Sequence, residues 1–234
     1  VSGGAALPGD VHRRFKERYG INILEGYGLS ETSPVATFTK DGEDIRVGSI
    51  GKAIWGVDVR VMREDGTFAE VDEVGEIVIR GHNIMKGYYR RPEATSEAIV
   101  NGWFHSGDLG KVDADGFFYI VDRKKDLIIR GGMNIYPREI EEVLYRHPKV
   151  LEAAVIGIPD ESRGEEVKVY VSPKEGQTVT AEEIQQYCQE QMAKYKWPKE
   201  VEILKNLPIG PTGKILKREL RVQAMEGKQA GAGV

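Results

Sequence analysis

The chain has 234 residues, of which 40% are hydrophobic and 30% are charged, and its formal net charge at pH 7 is −4. This composition is typical of a globular protein, and the acidic balance argues against nucleic acid as a partner. The single cysteine, Cys188, excludes an internal disulfide and fits a reducing compartment such as the cytoplasm. No apolar run approaches the roughly 18 residues of a membrane span. We therefore expect neither a membrane span nor a signal peptide, although peripheral contact with a membrane stays open. The chain starts at Val1 rather than at methionine, so we expect an upstream segment to be missing.

The amino-terminal part combines a glycine-rich start, a helix and a polar loop. Residues 1–6 are small and glycine-rich, which suits a loop close to a ligand or to another backbone. Apolar residues recur every four positions from Leu7 to Tyr19 and predict a helix. Residues 21–24 are typical of a short strand, and the following Glu25–Thr32 contains two glycines, hydroxyls and a carboxylate. Such a loop can bind phosphate oxygens and a metal ion, but a plain polar turn is the commoner meaning of this pattern.

The hydrophobic period changes to two between residues 48 and 121. Valines alternate with polar residues over 57–61, and isoleucines alternate over 77–79, with Asp-Gly and Gly turns between such segments. Several short strands with these turns predict a small, mostly antiparallel sheet or barrel. Within it Asp108 follows a glycine, a position that suits either contact with the two vicinal hydroxyls of a ribose or the capping of a turn.

The stretch Val121–Asn134 has the features of a joint between two bodies. Its five successive charged residues, Asp122–Asp126, predict a solvated connector, because a buried strand of this kind would carry a large desolvation cost. An apolar run at Leu127–Ile129 predicts a short strand, and the glycines at 131 and 132 then permit backbone conformations that are closed to other residues. An ordinary exposed loop before a hairpin is the alternative interpretation of this stretch alone.

Beyond the joint, the pattern predicts mixed α and β structure. A proline at a first helical position opens one helix, and Thr180 with Glu183 forms a capping box for a second. The apolar face of the second helix includes Cys188, which is therefore expected in the core rather than as a nucleophile. Strands are predicted at 150–158, 167–171 and 201–204. A rigid loop that ends in Lys214 follows, and we expect disorder after Leu220.

Five motifs in this order resemble those of the adenylate-forming superfamily, and most closely its acyl-CoA synthetases. The motifs are Tyr27–Glu31, Gly75–Gly81 with Lys86–Tyr88, Phe104–Leu109, the joint, and Pro208–Lys214.

The resemblance implies an α+β fold in two bodies. Residues 1–124 would be the carboxyl-terminal end of a large AMP-binding domain, with a small β-barrel-like sheet from about residue 48. Residues 125–220 would be a compact, mobile α+β lobe, and residues 221–234 a flexible tail. The phosphate-cradling loop of the family and most of its acyl pocket should lie upstream. We therefore expect this portion to be inactive by itself.

By resemblance, the enzyme would join a carboxylic acid to coenzyme A in an ATP-dependent reaction. The acid would attack the α-phosphate of ATP to give acyl-AMP and pyrophosphate, and the thiol would then displace AMP. The first step gathers negative charge at phosphorus, which a cation and a metal ion stabilise. The resemblance implies the following roles: Lys214 as the catalytic cation; Glu31 as a ligand of Mg²⁺; Ser30 as a donor to the α-phosphate; Asp108, supported by Arg123, on the ribose hydroxyls; Gly3, Gly4, Ala5, Gly26, Tyr27 and Gly28 around the nucleotide; Lys125 as the hinge; and Gly131 and Gly132 in the loop that admits coenzyme A.

Some positions depart from the usual residues of the family without removing a proposed contact. Ser30 stands in place of threonine, Asp122 in place of a frequent glycine, and His105–Ser106 in place of Arg or Lys and Thr. The segments Gly132–Pro137 and Glu139–Glu141 resemble bacterial fatty-acyl-CoA ligases, which favours a medium- or long-chain fatty acid as the substrate. An aryl-CoA ligase is the alternative within the class. A non-catalytic fragment that only binds nucleotide or partners is the alternative outside it, and the presence of the proposed site residues argues against that alternative.

Overall fold

The chain, seen in a computed structural model, forms two compact units, Val1–Lys125 and a second that begins at Asp126. The structure describes residues 1–231, the last five of them by their backbone alone, except for these three: Ala6, Glu43 and Thr212. Both units contain helices and antiparallel strands, so the predicted mixture of α and β structure is confirmed.

The first unit begins with a helix and a small antiparallel sheet. Helix α1 (Gly9–Tyr19) ends at Gly20, whose φ of 70° lets its N–H donate to the carbonyl oxygen of Lys16. The sheet consists of β1 (Gly26–Tyr27), β2 (Thr37–Phe38) and β3 (Lys52–Ala53). The strand predicted at residues 21–24 is wrong, because pairing with β2 begins only at Gly26 and the Ile21 side chain is 59% exposed. A segment of four residues, three of them apolar, is too short to distinguish a strand from a linker.

A five-stranded antiparallel sheet forms most of the first unit. Its strands are β4 (Val57–Met62), β5 (Gly75–Gly81), β6 (Ile99–Val100), β7 (Trp103–Val112) and β8 (Phe118–Arg123), and helix α2 (Pro92–Ala98) precedes β6. The order is β4-β5-β7-β6, and β8 also pairs with β7. The predicted alternation is confirmed, since Val57, Val59 and Val61 are buried against Ile77 and Phe104.

In its described residues, the second unit contains a five-stranded sheet and three α-helices. Its strands are β9 (Ile128–Arg130), β10 (Met133–Ile135), β11 (Val150–Asp160), β12 (Gly164–Pro173) and β13 (Glu200–Ile203), and its helices are α3 (Pro137–Leu144), α4 (Ala181–Gln191) and α5 (Lys217–Gly231). The order is β10-β9-β12-β11, and β13 lies parallel to β12. Within the ranges that the structure describes, none of the helices is long and apolar enough to cross a membrane.

Helix α4 confirms the predicted burial of Cys188 and, of the predicted capping box, the contact made by the Thr180 side chain. The Oγ1 atom of Thr180 accepts the N–H of Glu183 at 3.2 Å, as a capping residue does. Cys188 has no exposed surface and lies in a core cluster with Ile140 and Ile184. Burial raises the pKa of its thiol to about 12, so the thiol stays protonated at neutral pH and is no nucleophile.

The flexible tail predicted after Leu220 is wrong for residues 221–231, which continue helix α5. Leu220 and Ala224 are four positions apart on one face of the helix, and both are buried in a cluster with Ile156 and Tyr170. This packing stabilises a helix whose own sequence is rich in glycine, alanine and glutamine.

The charged run at Asp122–Asp126 is not a solvated connector throughout. Its first two residues end β8, and the carboxylates of Asp122 and Asp126 are both buried. Asp122 accepts the N–H of Arg123 at 2.7 Å, and Asp126 accepts from the Arg221 guanidinium at 2.7 Å. Partners of this kind offset the desolvation cost on which the prediction relied.

Candidate nucleotide site

A bulge in β7 positions Asp108. Opposite the single residue Ile77 of β5, strand β7 has the three residues Ser106–Asp108, because the pairing of the two strands shifts there. Gly107, in the middle, has a φ of +72°, a conformation that favours glycine. The hydroxyl of Ser106 donates to the carbonyl oxygen of Ile77 at 2.6 Å and accepts the N–H of Asp108 at 3.1 Å. A bulge changes the direction in which a side chain points, and in β7 it sets the direction of the Asp108 carboxylate.

The Asp108 carboxylate forms a cluster with Tyr27 and Arg123. The side chain of Asp108 is only 8% exposed; Tyr27 Oη donates to Oδ2 at 2.6 Å, and Arg123 Nε donates to Oδ1 at 3.2 Å. Burial, followed by the negative charge of Asp108, raises the pKa of the Tyr27 hydroxyl, which therefore remains a proton donor. A carboxylate offers about four acceptor positions, so these two contacts leave capacity for a pair of ligand hydroxyls. The structure thus brings together three of the predicted nucleotide-binding residues.

Close packing accounts for glycine at two other predicted nucleotide-binding positions. A Cβ atom on Gly28 would lie 1.7 Å from the carbonyl oxygen of Pro34, and one on Gly26 would lie 2.6 Å from an aromatic ring of β2. The N–H of Gly26 also donates to the carbonyl oxygen of Ser2 at 3.0 Å, which fixes the start of the chain beside β1. Gly3–Ala5 continue from there as an exposed segment, so their backbone is accessible to a ligand.

The loop after β1 contains a 3-10 turn (Ser30–Thr32) that is held by Thr32. This residue is fully buried; its Oγ1 accepts the N–H of Leu29 at 2.9 Å and donates to the carbonyl oxygen of Pro34 at 2.8 Å. Ser30 is exposed, so its hydroxyl can contact a ligand. The two hydroxyls therefore have different roles: that of Thr32 stabilises the turn, and that of Ser30 faces solvent.

Glu31, the predicted metal ligand, contacts Tyr88. The Tyr88 hydroxyl donates to Glu31 Oε1 at 2.8 Å, and the N–H of Met85 donates to the carbonyl oxygen of Glu31 at 2.8 Å. In the described part of the chain, no group of three or more His, Cys, Asp and Glu side chains could hold a metal ion. A single carboxylate nevertheless suits Mg²⁺, which usually takes one or two protein carboxylates and completes its shell with water and substrate phosphates.

Asn83, which follows β5, holds the loop after β1 that carries Glu31 (the Glu31 loop). Its side chain is buried, and Nδ2 donates to the carbonyl oxygens of Thr32 at 2.9 Å and Val35 at 2.8 Å. The sequence alone indicates no role for Asn83 or Tyr88. Their partners lie 48 to 57 positions away, and nothing local marks such a pairing, although Tyr88 does belong to one of the motifs noted above.

The two predicted lysines are both exposed. Lys125 is the last residue of the first unit and lies in a 3-10 turn (Lys124–Asp126). Lys214 belongs to the second unit and lies at the end of a turn, where its carbonyl oxygen accepts the N–H of Gly210 at 2.8 Å. Thr212 of the same loop lies outside the described residues.

The Gly131–Gly132 turn of the second unit follows a buried arginine. Both glycines are exposed and have positive φ values, 56° and 80°, as a two-residue hairpin turn of type I′ requires. Arg130 donates through Nη1 to the carbonyl oxygens of Tyr195 at 2.9 Å and Trp197 at 3.0 Å. Its Nη2 lies 2.8 Å from Oε2 of Glu166. These contacts fix the base of the turn and leave its tip accessible.

Two family models match the chain. The model described as AMP-binding enzyme matches residues 1–89, and the model described as AMP-binding enzyme C-terminal domain matches residues 139–214. Tyr27, Glu31 and Tyr88 lie in the first match and Lys214 lies in the second, whereas Asp108 and Arg123 lie in neither.

Similar proteins include ligases and their solved structures. The long-chain-fatty-acid–CoA ligase of Bacillus subtilis (strain 168) is 44% identical over 227 residues, which are 97% of this chain and 40% of that protein. The crystal structure of ATP-bound MatB from Rhodopseudomonas palustris matches with a TM-score of 0.91 and 38% identity, over 95% of this chain and 44% of that one. The o-succinylbenzoate coenzyme A synthetase (MenE) of Bacillus subtilis, in complex with ATP and magnesium ion, matches with a TM-score of 0.83 and 36% identity, over 93% and 45%. The chain therefore spans less than half the length of each of these proteins.

Asn83→Asp should loosen the Glu31 loop. The substitution conserves volume but removes both amide donors and places a carboxylate against two carbonyl oxygens, so we expect a loss of about 1–3 kcal/mol in the free energy of unfolding. Urea denaturation followed by tryptophan fluorescence measures this loss. Asn101→Asp is the matched control: Asn101 is exposed at a φ of 52° that aspartate tolerates, so its effect should stay within about 0.5 kcal/mol. Equal effects of the two substitutions would contradict the anchoring role of Asn83.

Proposed function

The chain belongs to the AMP-binding enzyme family, and we propose that the complete protein is an acid–thiol ligase that joins a carboxylic acid to coenzyme A with the use of ATP. The observation that carries this proposal is the Tyr27–Asp108–Arg123 cluster. It presents a buried carboxylate with acceptor capacity to spare, which fits the two ribose hydroxyls of an adenylate. Membership of the family alone would not specify which groups act.

In the proposed first half-reaction, an oxygen of the acid attacks the α-phosphorus of ATP and the bond to the β-phosphate oxygen breaks. The products are acyl-AMP and pyrophosphate. Asp108 holds the ribose, the hydroxyl of Ser30 donates to an α-phosphate oxygen, and the ammonium group of Lys214 stabilises the negative charge on the reacting oxygens. Glu31 would hold Mg²⁺, which when bound neutralises phosphate charge.

In the proposed second half-reaction, the thiol of coenzyme A loses its proton to solvent, its sulfur attacks the acyl carbon, and AMP leaves with the electron pair of the broken C–O bond. The exposed tip at Gly131 and Gly132 lets a pantetheine chain approach without a side chain in its path. Lys125 is the hinge about which the second unit reorients between the two half-reactions. We place the enzyme in the cytoplasm, where ATP and coenzyme A occur together in a reducing environment.

The proposed acid is a medium- or long-chain fatty acid. The identity with the Bacillus subtilis fatty-acid ligase extends over nearly the whole chain and supports this choice. An acid with an aromatic ring is the second candidate, because the matching MenE structure is a synthetase for o-succinylbenzoate.

A panel of acids tests the function and separates the candidates. The full-length protein with ATP, Mg²⁺ and coenzyme A should release pyrophosphate with octanoate or palmitate, and much less with benzoate, ferulate or succinylbenzoate. Reactions without acid or without coenzyme A are the controls. Preference for the aromatic acids would favour the second candidate. Binding of ATP without pyrophosphate release for any acid would indicate a non-catalytic nucleotide-binding protein and overturn the proposal.

Lys214→Ala should separate the two half-reactions. Loss of one preorganised charge that stabilises the transition state should slow adenylation by a factor on the order of 10² or more. Thioester formation from supplied acyl-AMP and coenzyme A should change little. Lys205→Ala, which removes another exposed lysine of the second unit, is the matched control. A Lys214→Ala enzyme that is slowed alike in both steps would assign the lysine a general structural role, and one slowed in neither would make it an ordinary surface residue.

Lys125→Pro should show the opposite selectivity. Proline fixes φ and restricts the preceding residue, so a hinge at this position should lose freedom and thioester formation should fall more than adenylation. Lys125→Ala removes the same charge but keeps the backbone free, and it should behave as wild type in both assays. If the proline variant lost both half-reactions equally, Lys125 would be structural rather than a hinge.

A further inference from the structure

Glu76 lies beside the bulge and is not explained by the reaction described so far. Its side chain is only 12% exposed, and the carboxylate is in contact with three donors. His105 Nδ1 lies 3.1 Å from Oε2, the N–H of Gly107 donates to Oε1 at 3.0 Å, and Lys124 Nζ donates to Oε2 at 3.2 Å. Burial acts to raise the pKa of Glu76, but the three donors outweigh it and hold the pKa below its usual value. The carboxylate is therefore ionised at neutral pH.

The three donors flank the Asp108–Arg123 pair in sequence. Gly107 is the central residue of the bulge and directly precedes Asp108, while Lys124 directly follows Arg123. Residues within a bulge are left out of the ladder of strand hydrogen bonds. The Glu76 carboxylate supplies the acceptor for Gly107, whose N–H is such a group.

The contacts of Glu76 are thus concentrated on the two segments that carry the ribose-contacting cluster. One oxygen holds the backbone of the bulge, and the other holds the segment that continues from Arg123. A buried carboxylate and a three-residue bulge each carry a free-energy cost. A regular strand pair with an apolar residue at position 76 would avoid both costs but would leave Asp108 without its present orientation.

We propose that Glu76 is a positioning residue of the nucleotide site: it holds the β7 bulge and the segment after Arg123 so that the Asp108 carboxylate is fixed in place before the ribose binds. The inference rests on the proposed function only through the contact between Asp108 and the ribose. Glu76 itself touches no ligand. Its effect should therefore appear in the recognition of the ribose hydroxyls and not in contacts with the rest of the nucleotide.

The test compares the affinities of the full-length protein for ATP and for 2′,3′-dideoxy-ATP, each with Mg²⁺ and without acid. Hydrogen bonds to a charged group should make wild type bind ATP at least about tenfold more tightly than the dideoxy analogue. In Glu76→Gln this ratio should fall at least about threefold, because the amide cannot accept all three hydrogen bonds and Asp108 loses its fixed orientation. Affinity for the dideoxy analogue should be unchanged.

Glu73→Gln is the matched control. Glu73 also accepts several hydrogen bonds, from Arg63 and from the N–H of Glu70, and it lies three positions away, outside the bulge. A loss of general stability should affect both variants, whereas the ratio of ATP to dideoxy affinities should fall only for Glu76→Gln.

The outcomes distinguish this inference from the proposed function. A wild-type protein that binds both nucleotides equally well would overturn the contact between Asp108 and the ribose. A wild-type preference that Glu76→Gln retains in full, or a fall in both affinities of that variant by the same factor, would overturn the positioning role. Should Glu76→Gln fail to fold, Glu76→Asp decides instead, because it keeps the charge but is one methylene too short to reach all three donors. An unchanged ratio in that variant would likewise overturn the role.

Discussion

The Asp108 carboxylate is a buried charge, and much of the first unit is arranged around the groups that satisfy it. An ionised carboxylate removed from water is costly unless it is paired and hydrogen-bonded. Its partners come from different parts of the sequence: Tyr27 lies 81 positions before it and Arg123 lies 15 positions after it. The first contact requires β1 to pack near the bulge, and the second requires the register of β7 and β8, in which Asp108 is opposite Arg123. The small and the large sheet of the unit therefore meet where the ribose is proposed to bind.

The loop that carries Ser30 and Glu31 illustrates how a loop can be held by a rigid scaffold. Buried groups fix its backbone, chiefly the hydroxyl of Thr32 and the amide of Asn83. The Ser30 side chain is exposed and the Glu31 carboxylate contacts the Tyr88 hydroxyl, so the side chains with proposed chemistry are not the ones that hold the backbone of the loop. This division leaves Ser30 exposed without loss of order in the turn that presents it.

Local features of the fold could be predicted from the sequence, and contacts that depend on register could not. The alternation of Val57, Val59 and Val61 and the cap at Thr180 each depend on neighbouring residues, and both are confirmed. The bulge in β7 could not be predicted, because it depends on how β5 and β7 pair, and the motif Phe104–Leu109 does not specify that pairing. The prediction of a flexible tail is wrong for a related reason. The burial of Leu220 depends on a sheet whose strands lie some fifty residues before it in the sequence. The donors around Glu76 are likewise distant in sequence. The motif Gly75–Gly81 could therefore be recognised from the sequence, but the contacts of Glu76 with the bulge could not be predicted.

The burial of Cys188 matters for an enzyme one of whose proposed substrates carries a thiol. A disulfide exchanges with an accessible protein cysteine when the thiolate of that cysteine attacks one of the two disulfide sulfurs. The only thiol in this chain is enclosed in the core of the second unit and stays protonated, since burial raises its pKa to about 12. This part of the protein therefore offers the disulfide form of coenzyme A no thiolate with which to form a mixed disulfide. The unit whose loop is proposed to admit coenzyme A therefore has no reactive thiol of its own.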